Sequence, residues 1–437
     1  MTAKAWSAGE MNARPPRILL LMTTRTYRAR AFLRAARRLG AEVVVGTERQ
    51  QALARARAGT TLALDPRQPE RAIEAIAAAG PFTAIVGVDD DTTLLAALAA
   101  RALGLPGNDP DAVRATRDKH LMRSLLAAAG APSPAFSLLR LDGDLRAAAC
   151  ALPYPCVAKP ISLSASRGVI RADDPATFLA AAERIRAILA TTEGLDERER
   201  TSLLVEEFVP GREVALEGML IGGALKTLAL FDKPDPLDGP YFEETIYVTP
   251  SRLPEATQLA IIAAAQQGAT ALGLREGPVH AELRVNERGA WIVEIAARSI
   301  GGLCSSALEF SGGLSLEELI LLHATGADVS RYERERRPSG VMMLPIPRGG
   351  VLREVAGLEE SRAVPGIVDI EITIPRGERV EPLPEGGRYL GFLFARAATP
   401  AAVEEALRAA HSRLRIDIAP EAPRSVAPAS AVPRIDA

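Results

Sequence analysis

Short apolar runs alternate with helical segments over residues 16–105, and this pattern limits the fold more than any other feature. RILLLM (17–22), AEVVVG (41–46) and AIVGV (84–88) read as strands. YRARAFLRAARRLG (27–40), which stops at Gly40, and TTLLAALAARALG (92–104) read as helices. Strands separated by helices predict a parallel α/β unit. It lacks G-x-G-x-x-G, so dinucleotide binding is not supported. DPDAVRATRDKHLMRSLLAAAG (109–130) reads as helical after Pro110, with Gly130 as its stop.

From residue 151 the texture changes to hairpins and extended runs: PCVAK, GVIRA, SLLVEEF, EVALEGMLIGG, KTLALF, ETIYVTP, HAELRV and AWIVEIA. Helical segments at 175–190, 254–273 and 315–326 interrupt them, the last with a Ser315/Glu318 capping box. A charged connector (331–340) leads into a final α/β portion at about 341–418. Residues 1–15 read as a loose tail without a signal-peptide core, and the Pro/Ala/Ser-rich 419–437 as disordered. With 437 residues, several domains are expected.

A net charge of −2 gives no argument for nucleic-acid or anionic-membrane binding, and no apolar run is long enough to span a bilayer. Cys150, Cys156 and Cys304 show no metal spacing, which suits a reducing cytoplasm. Lysine is scarce. Of 52 basic residues only Lys4, Lys119, Lys159, Lys226 and Lys233 are lysines, so each raises the question whether a compact ammonium was needed.

HAELRVNERGAWIVEIAARS (280–299) carries the most chemistry. A three-residue loop, Glu287 to Gly289 with Gly289 left-handed, pairs Asn286 with Ala290 and sets Glu282 opposite Glu294. Alternation then puts His280, Glu282, Arg284, Ile292 and Glu294 on one face, and Ala281, Leu283, Val285, Trp291, Val293 and Ile295 on the core face. Carboxylates about 5 Å apart repel by roughly 3 kcal/mol at an effective dielectric of about 20. A divalent cation removes that cost, and magnesium favours one or two carboxylates plus substrate phosphates. The plain alternative is a solvent-facing hairpin in which Arg284 screens both acids.

In YPCVAKPISLSASRG (154–168), Lys159 ends a strand because Pro160 follows it. The loop offers Ser162, Ser164, Ser166 and Gly168, whose backbone N–H groups can face an anion. There is no P-loop pattern, and an ordinary Ser-rich hairpin is the alternative. In SLLVEEFVPGREVALEGMLIGG (202–223) a free strand edge could meet a purine and a carboxylate could meet ribose hydroxyls; solvated acids are the alternative.

In order, RDKHLMR (117–123), PCVAKP (155–160) with its small-residue loop, VEEFVPGRE (205–213), and HAELRV (280–285) with VEIAARSIGG (293–302) resemble the ATP-grasp superfamily. The resemblance spans about 16–418. It looks nearest to the carboxylate–amine ligase branch that contains the L-amino acid ligases. It implies an α/β and α+β multidomain chain: an N-terminal parallel α/β domain (16–108), ATP-grasp central and nucleotide-binding domains (109–330), a C-terminal domain (341–418) and a disordered tail (419–437).

The resemblance also implies roles. Lys119 and Lys159 would bind ATP phosphates, together with Ser164 and Ser166 of the loop. Glu206 and Val209 would meet adenine through backbone groups, and Glu213 would bind ribose. Glu282 and Glu294 would hold magnesium, and Arg298 would stabilise the transferred phosphoryl group. Gly301 and Gly302 would bind a substrate carboxylate, and Glu244 and Tyr247 the amino group. His280 either touches substrate or is a hydrogen-bonded structural histidine. The superfamily's frequent Asn two residues after the second carboxylate is Ala296 here, which puts a third protein ligand in doubt. The implied function is ATP-dependent amide formation through an acyl phosphate between small molecules, namely amino acids, with ATP and Mg2+ and without nucleic acid or membrane. A homodimer is compatible with it. A biotin-carboxylase-like enzyme and a non-catalytic ATP-binding regulator are the alternatives.

Overall fold

The computed structural model describes residues 15–49 and 60–420. The expected parallel unit is present. Strands Thr61–Ala63, Glu42–Thr47, Arg17–Leu21 and Ala84–Gly87 lie side by side in that order, all parallel. The run RILLL is continuous rather than alternating because both faces are buried. Leu19 and Leu21 pack with Ile76 and Leu95 on one side, and Ile18 and Leu20 with Phe32 and Leu39 on the other.

The helical stretch expected after Pro110 is broken in two, Pro110–Arg117 and Lys119–Ala128. Asp118 takes an extended conformation, φ −113° and ψ 104°, and its carboxylate accepts from the amides of His120 and Leu121. An aspartate so placed caps the second helix. The break turns the Lys119 amide onto the carbonyl of Ile161, just before the Ser-rich loop.

Strands Phe136–Arg140, Ser202–Glu207, Cys156–Lys159 and Ile170–Ala172 form an antiparallel sheet backed by helix Pro175–Thr191 through Phe178, Ile185 and Leu189. The largest sheet has eight strands: Gly289–Ala296, Gly277–Asn286, Arg212–Ile221, Ala224–Asp232, Ile246–Thr249, Ser339–Leu344, Gly391–Arg396 and Ile367–Ile372. Helix Glu255–Ala271 covers one face through Ile261 and Ala265, while Met219, Phe231 and Tyr247 on the other pack toward helix Leu316–Ala324 and the N-terminal unit. The last three strands all follow residue 338, so this sheet runs across the expected 330/341 boundary.

A small sheet pairs Gly350–Ala356 with Arg379–Val380 and Arg415–Ala419. Ala419 is bonded there opposite Val351, so the expected disordered tail does not begin at 419. Residues 421–437 and the expected N-terminal tail up to residue 14 lie outside the described residues. Among the described residues no helix is long and apolar enough to cross a membrane.

The carboxylate hairpin is present in a different register. Its turn has two residues, Glu287 and Arg288, because Asn286 pairs with Gly289 and not with Ala290. A bulge next to Glu282 then restores the pairing of Glu282 with Glu294. One extra residue on one strand reverses which side chains face the core beyond it. Ile292 is therefore fully buried in the core with Ala281, Leu283 and Ile295, whereas Val293 faces the cleft beside Glu294.

Candidate active site

A first cleft opens between the four-stranded sheet and the carboxylate hairpin. Lys119, Lys159, Ser164, Ser166, Glu206, Val209, Glu213, Glu282 and Glu294 all line it. Lys159 ends its strand with Nζ 2.7 Å from Glu206 Oε2. Arg123 completes a buried triad, with Nε donating to Glu206 Oε1 at 2.7 Å and Nη2 to the Val293 carbonyl. Burial opposes ionisation of Glu206, but the two cations outweigh it and hold its carboxyl below the usual range. Glu206 sits in a central strand paired on both sides, with Phe136 and Val157, so it forms the floor of the cleft and not an open edge for a purine. The carbonyl of Val209 is taken by Arg284 Nη1 at 2.9 Å. Phe208 and Phe242 face each other at 6.5 Å at this end, and both line the cleft.

Arg284 does not screen Glu282 and Glu294. It is buried, holds the carbonyls of Val209 and Leu237, and lies 3.5 Å from Glu213. The screening is done by two lysines. Lys119 Nζ lies 3.6 Å from Glu294 and donates to the Leu163 carbonyl at 2.7 Å. Lys233 Nζ lies 2.8 Å from Glu213 and 3.3 Å from Glu282 and also bonds Glu244.

Glu213, Glu244 and Glu282 lie close enough to share a metal ion, but Lys233 already occupies their centre, so this trio fits an ammonium. The fit for a divalent cation is between Glu282 and Glu294. Their side chains are 20% and 30% exposed into the cleft, each has oxygen capacity left beyond its lysine contact, and both are hard donors. The residue pairing with His280 is Ala296, so the protein adds no third oxygen ligand there.

A second cleft of about 300 Å³ adjoins the first across Ser164, Ser166, Glu244, Glu282 and Glu294. Glu244, Tyr247, His280, Arg298, Gly301 and Gly302 line it. Arg298 bonds Asp90 of the N-terminal unit at 2.7 Å, not Glu294, and donates to the Ser299 carbonyl at 2.9 Å. Burial opposes its charge, but Asp90 outweighs this and raises the guanidinium further. Arg28, also buried, holds Ser299 and the carbonyl of Val88. Gly302 has φ 60°, and a Cβ there would lie 2.8 Å from the Phe392 ring, so only glycine fits.

His280 is a bonded histidine on the cleft wall. Nδ1 is 3.2 Å from Glu217 and Nε2 3.5 Å from Glu282. Burial disfavours its charge, yet the two carboxylates push it up to about 9. Glu217 also accepts from the Ile300 amide at 2.9 Å, which ties the Arg298 loop through His280 to the carboxylate hairpin. Tyr247 is 2% exposed, packs in the core on Phe231 and donates to Glu244 at 2.7 Å. Glu244 is raised to about 7, first by burial and then by Glu282.

All fifteen expected residues thus meet in two adjoining clefts. Sequence reasoning missed Asp90, Arg123, Glu217 and Lys233. For Lys233 the signal was available in the scarcity of lysine: Lys119 and Lys159 line the first cleft and Lys233 bonds three carboxylates of the cleft walls, whereas Lys226 makes a pair with the exposed Glu333 and Lys4 lies outside the described residues.

Residues 152–307 match the family model described as ATP-grasp domain, 33–107 that of the ATP-grasp N-terminal domain, and 342–419 that of L-amino acid ligase C-terminal domain 2. The chain is 31% identical to carnosine synthase 1 of Gallus gallus over 349 residues, covering 74% of this chain and 36% of that protein. It is 27% identical to alanine–anticapsin ligase of Bacillus subtilis, covering 59% and 58%. The matched part is less than two thirds of the length of the curated relatives. Among solved structures, an L-amino acid ligase from Bacillus licheniformis superposes with a TM-score of 0.78 at 25% identity, over 93% of this chain and 99% of that one.

Proposed function

Since this chain belongs to the ATP-grasp superfamily, we propose that it is an ATP-dependent carboxylate–amine ligase that joins two amino-acid-like substrates through an acyl phosphate. The observation that carries the reading is the position of Glu282 and Glu294. They stand on the wall shared by a cleft with lysines and a serine loop and a second cleft with an arginine and a Gly-Gly turn. A reaction that moves a phosphoryl group from one ligand to another needs that arrangement.

ATP would lie in the first cleft with its base toward Phe208 and Phe242, its ribose at Glu213, and its phosphates at Lys119, Lys159 and the 162–168 loop. Magnesium held by Glu282 and Glu294 would neutralise phosphate charge and fix the γ-phosphoryl group for in-line transfer. Lys119 and Arg298 approach that point from opposite clefts and would stabilise charge on the transferring oxygens. The substrate carboxylate would be oriented by Arg298 and by backbone N–H groups at Gly301 and Gly302. Its oxygen attacks the γ-phosphorus, ADP leaves, and an acyl phosphate forms. The amine nitrogen then attacks the acyl carbon, and phosphate leaves as the amide forms. The amino group arrives as an ammonium and must lose a proton before its nitrogen can attack; Glu244, a carboxyl held at about 7, can accept that proton near neutral pH.

Release of phosphate from Mg-ATP across paired amino acids, with amide product measured by mass spectrometry, tests the reading. Turnover that requires two amino acids and vanishes in Glu294→Gln is the expected result. Bicarbonate-dependent turnover would favour a carboxylase instead. Binding of ATP without turnover for any pair would favour the regulatory alternative.

A further inference from the structure

The 162–168 loop walls both clefts, through Ser164 and Ser166. Within it Ala165 and Ser166 hold φ of 55° and 54°, a region that side chains avoid. Something must keep the loop there.

The contacts come from a strap at 382–389 in the C-terminal part of the chain. The Gly168 amide donates to the Pro384 carbonyl at 2.9 Å, and Arg167 Nε donates to the Glu385 carbonyl at 2.9 Å. The Glu385 carboxylate takes a two-point contact from Arg184, Nε at 2.5 Å and Nη2 at 2.9 Å. Arg184 lies on the helix that backs the four-stranded sheet, so this pair fastens the strap to the sheet that carries the loop. Gly387 approaches Ala165 and Arg167, and Tyr389, at the end of the strap, donates to Glu244 in the second cleft at 3.3 Å.

We propose that Glu385 is a positioning residue for the nucleotide phosphates: paired with Arg184, it holds the strap against the 162–168 loop and so keeps that loop closed over the phosphate end of the first cleft. The proposal rests on the reading of that cleft as the ATP site. The Arg184–Glu385 pair is about two-fifths exposed, so its contribution is that of a good bidentate surface pair and not of a buried one. Release of nucleotide would take the loop off the phosphates, and the strap opposes that movement.

The test uses full-length Glu385→Gln, Arg184→Met and the double variant. Hydrogen exchange of peptides covering 162–168 is read without nucleotide, and affinity for Mg-ADP is read by calorimetry. Each single variant is expected to raise loop exchange and weaken Mg-ADP by about fivefold, through faster release, and the double variant to be no worse than either single. Melting curves show that the fold is retained. Unchanged exchange in 162–168, or additive losses in the double variant, overturns the proposal. Neither readout needs turnover. A wild-type protein that binds Mg-ADP yet forms no amide would sink the ligase reading and leave this one standing, whereas failure to bind Mg-ADP at all would overturn both.

Discussion

Asp90→Asn separates the placement of Arg298 from its charge. Asp90 begins the helix after the fourth strand of the N-terminal unit, and Arg298 follows the carboxylate hairpin; their contact is 2.7 Å, with side chains only 17% and 15% exposed. Breaking a fully buried pair by removing one partner costs about 3–5 kcal/mol. Some water reaches this pair, and Arg298 keeps its bond to the Ser299 carbonyl, so about 2 kcal/mol is the working figure. If that loss falls on the transition state, kcat drops roughly thirtyfold. Asp90 is not a wall of the first cleft, so KM for ATP should stay within about twofold, because the lost interaction acts on the chemical step and not on nucleotide binding. Initial-rate kinetics with varied ATP at a saturating pair of amino acids measures both constants. Asp90→Glu, which keeps the charge, should recover part of kcat. A kcat within threefold of wild type in a folded Asp90→Asn protein would refute the reasoning, since Ser299 and Arg28 would then suffice to place the guanidinium.

Three further outcomes are expected. Glu282→Gln and Glu294→Gln should each lower phosphate release by about two orders of magnitude or more and raise the magnesium needed for half-maximal rate; a retained magnesium response in both would exclude this pair as ligands. Arg123→Met leaves Glu206 with one cation and removes the Arg123 bond to the Val293 carbonyl, at a site 1–4% exposed, and should cost about 3–5 kcal/mol in denaturant unfolding. A loss under about 1 kcal/mol would show that Lys159 alone neutralises Glu206. Glu244, raised to about 7 from 4.5, binds more protons folded than unfolded between those values, so it makes stability fall as pH rises through that window. Glu244→Gln should flatten the slope in metal-free protein, and an unchanged slope would assign it elsewhere.

The sequence exposed patterns of period and neighbourhood and hid those of compensation. Burial on both faces made RILLL and AIVGV legible, and scarcity together with local motifs singled out Lys119 and Lys159 but not Lys233. The Asp118 break was also present as a residue, but the helical period on either side masks an aspartate that caps a second helix from within one apparent run. The hairpin is more instructive. Counting from a three-residue turn reached the correct partner for Glu282 through two errors that cancel, a turn one residue shorter and a bulge one residue long. The pairing near the bulge came out right, and the facing of Ile292 came out reversed. A bulge is invisible in period-two reasoning because the residues on either side alternate normally.

The partners of the reacting groups were hidden for a different reason. Asp90 and Arg298 are 208 positions apart, Arg184 and Glu385 are 201, and Arg123 reaches Glu206 across 83. None belongs to a local motif, because each pair is made by one part of the chain docking on another. Motifs such as VEIAARSIGG survive in sequence because a strand followed by a tight loop places their groups locally. The groups that hold such a loop come from wherever the fold brings a charge close, and the choice is open to several surfaces. Here the N-terminal unit supplies Arg28 and Asp90 to the Arg298 loop, the strand Arg212–Ile221 supplies Glu217, and the C-terminal part supplies the ring of Phe392 beneath Gly302. A loop held from three directions is fixed only when all three parts are docked. Loosening the N-terminal unit should therefore cost turnover before it costs Mg-ADP affinity, since Lys119 and Lys159, the proposed phosphate ligands, are anchored by Leu163, Glu206 and Glu294.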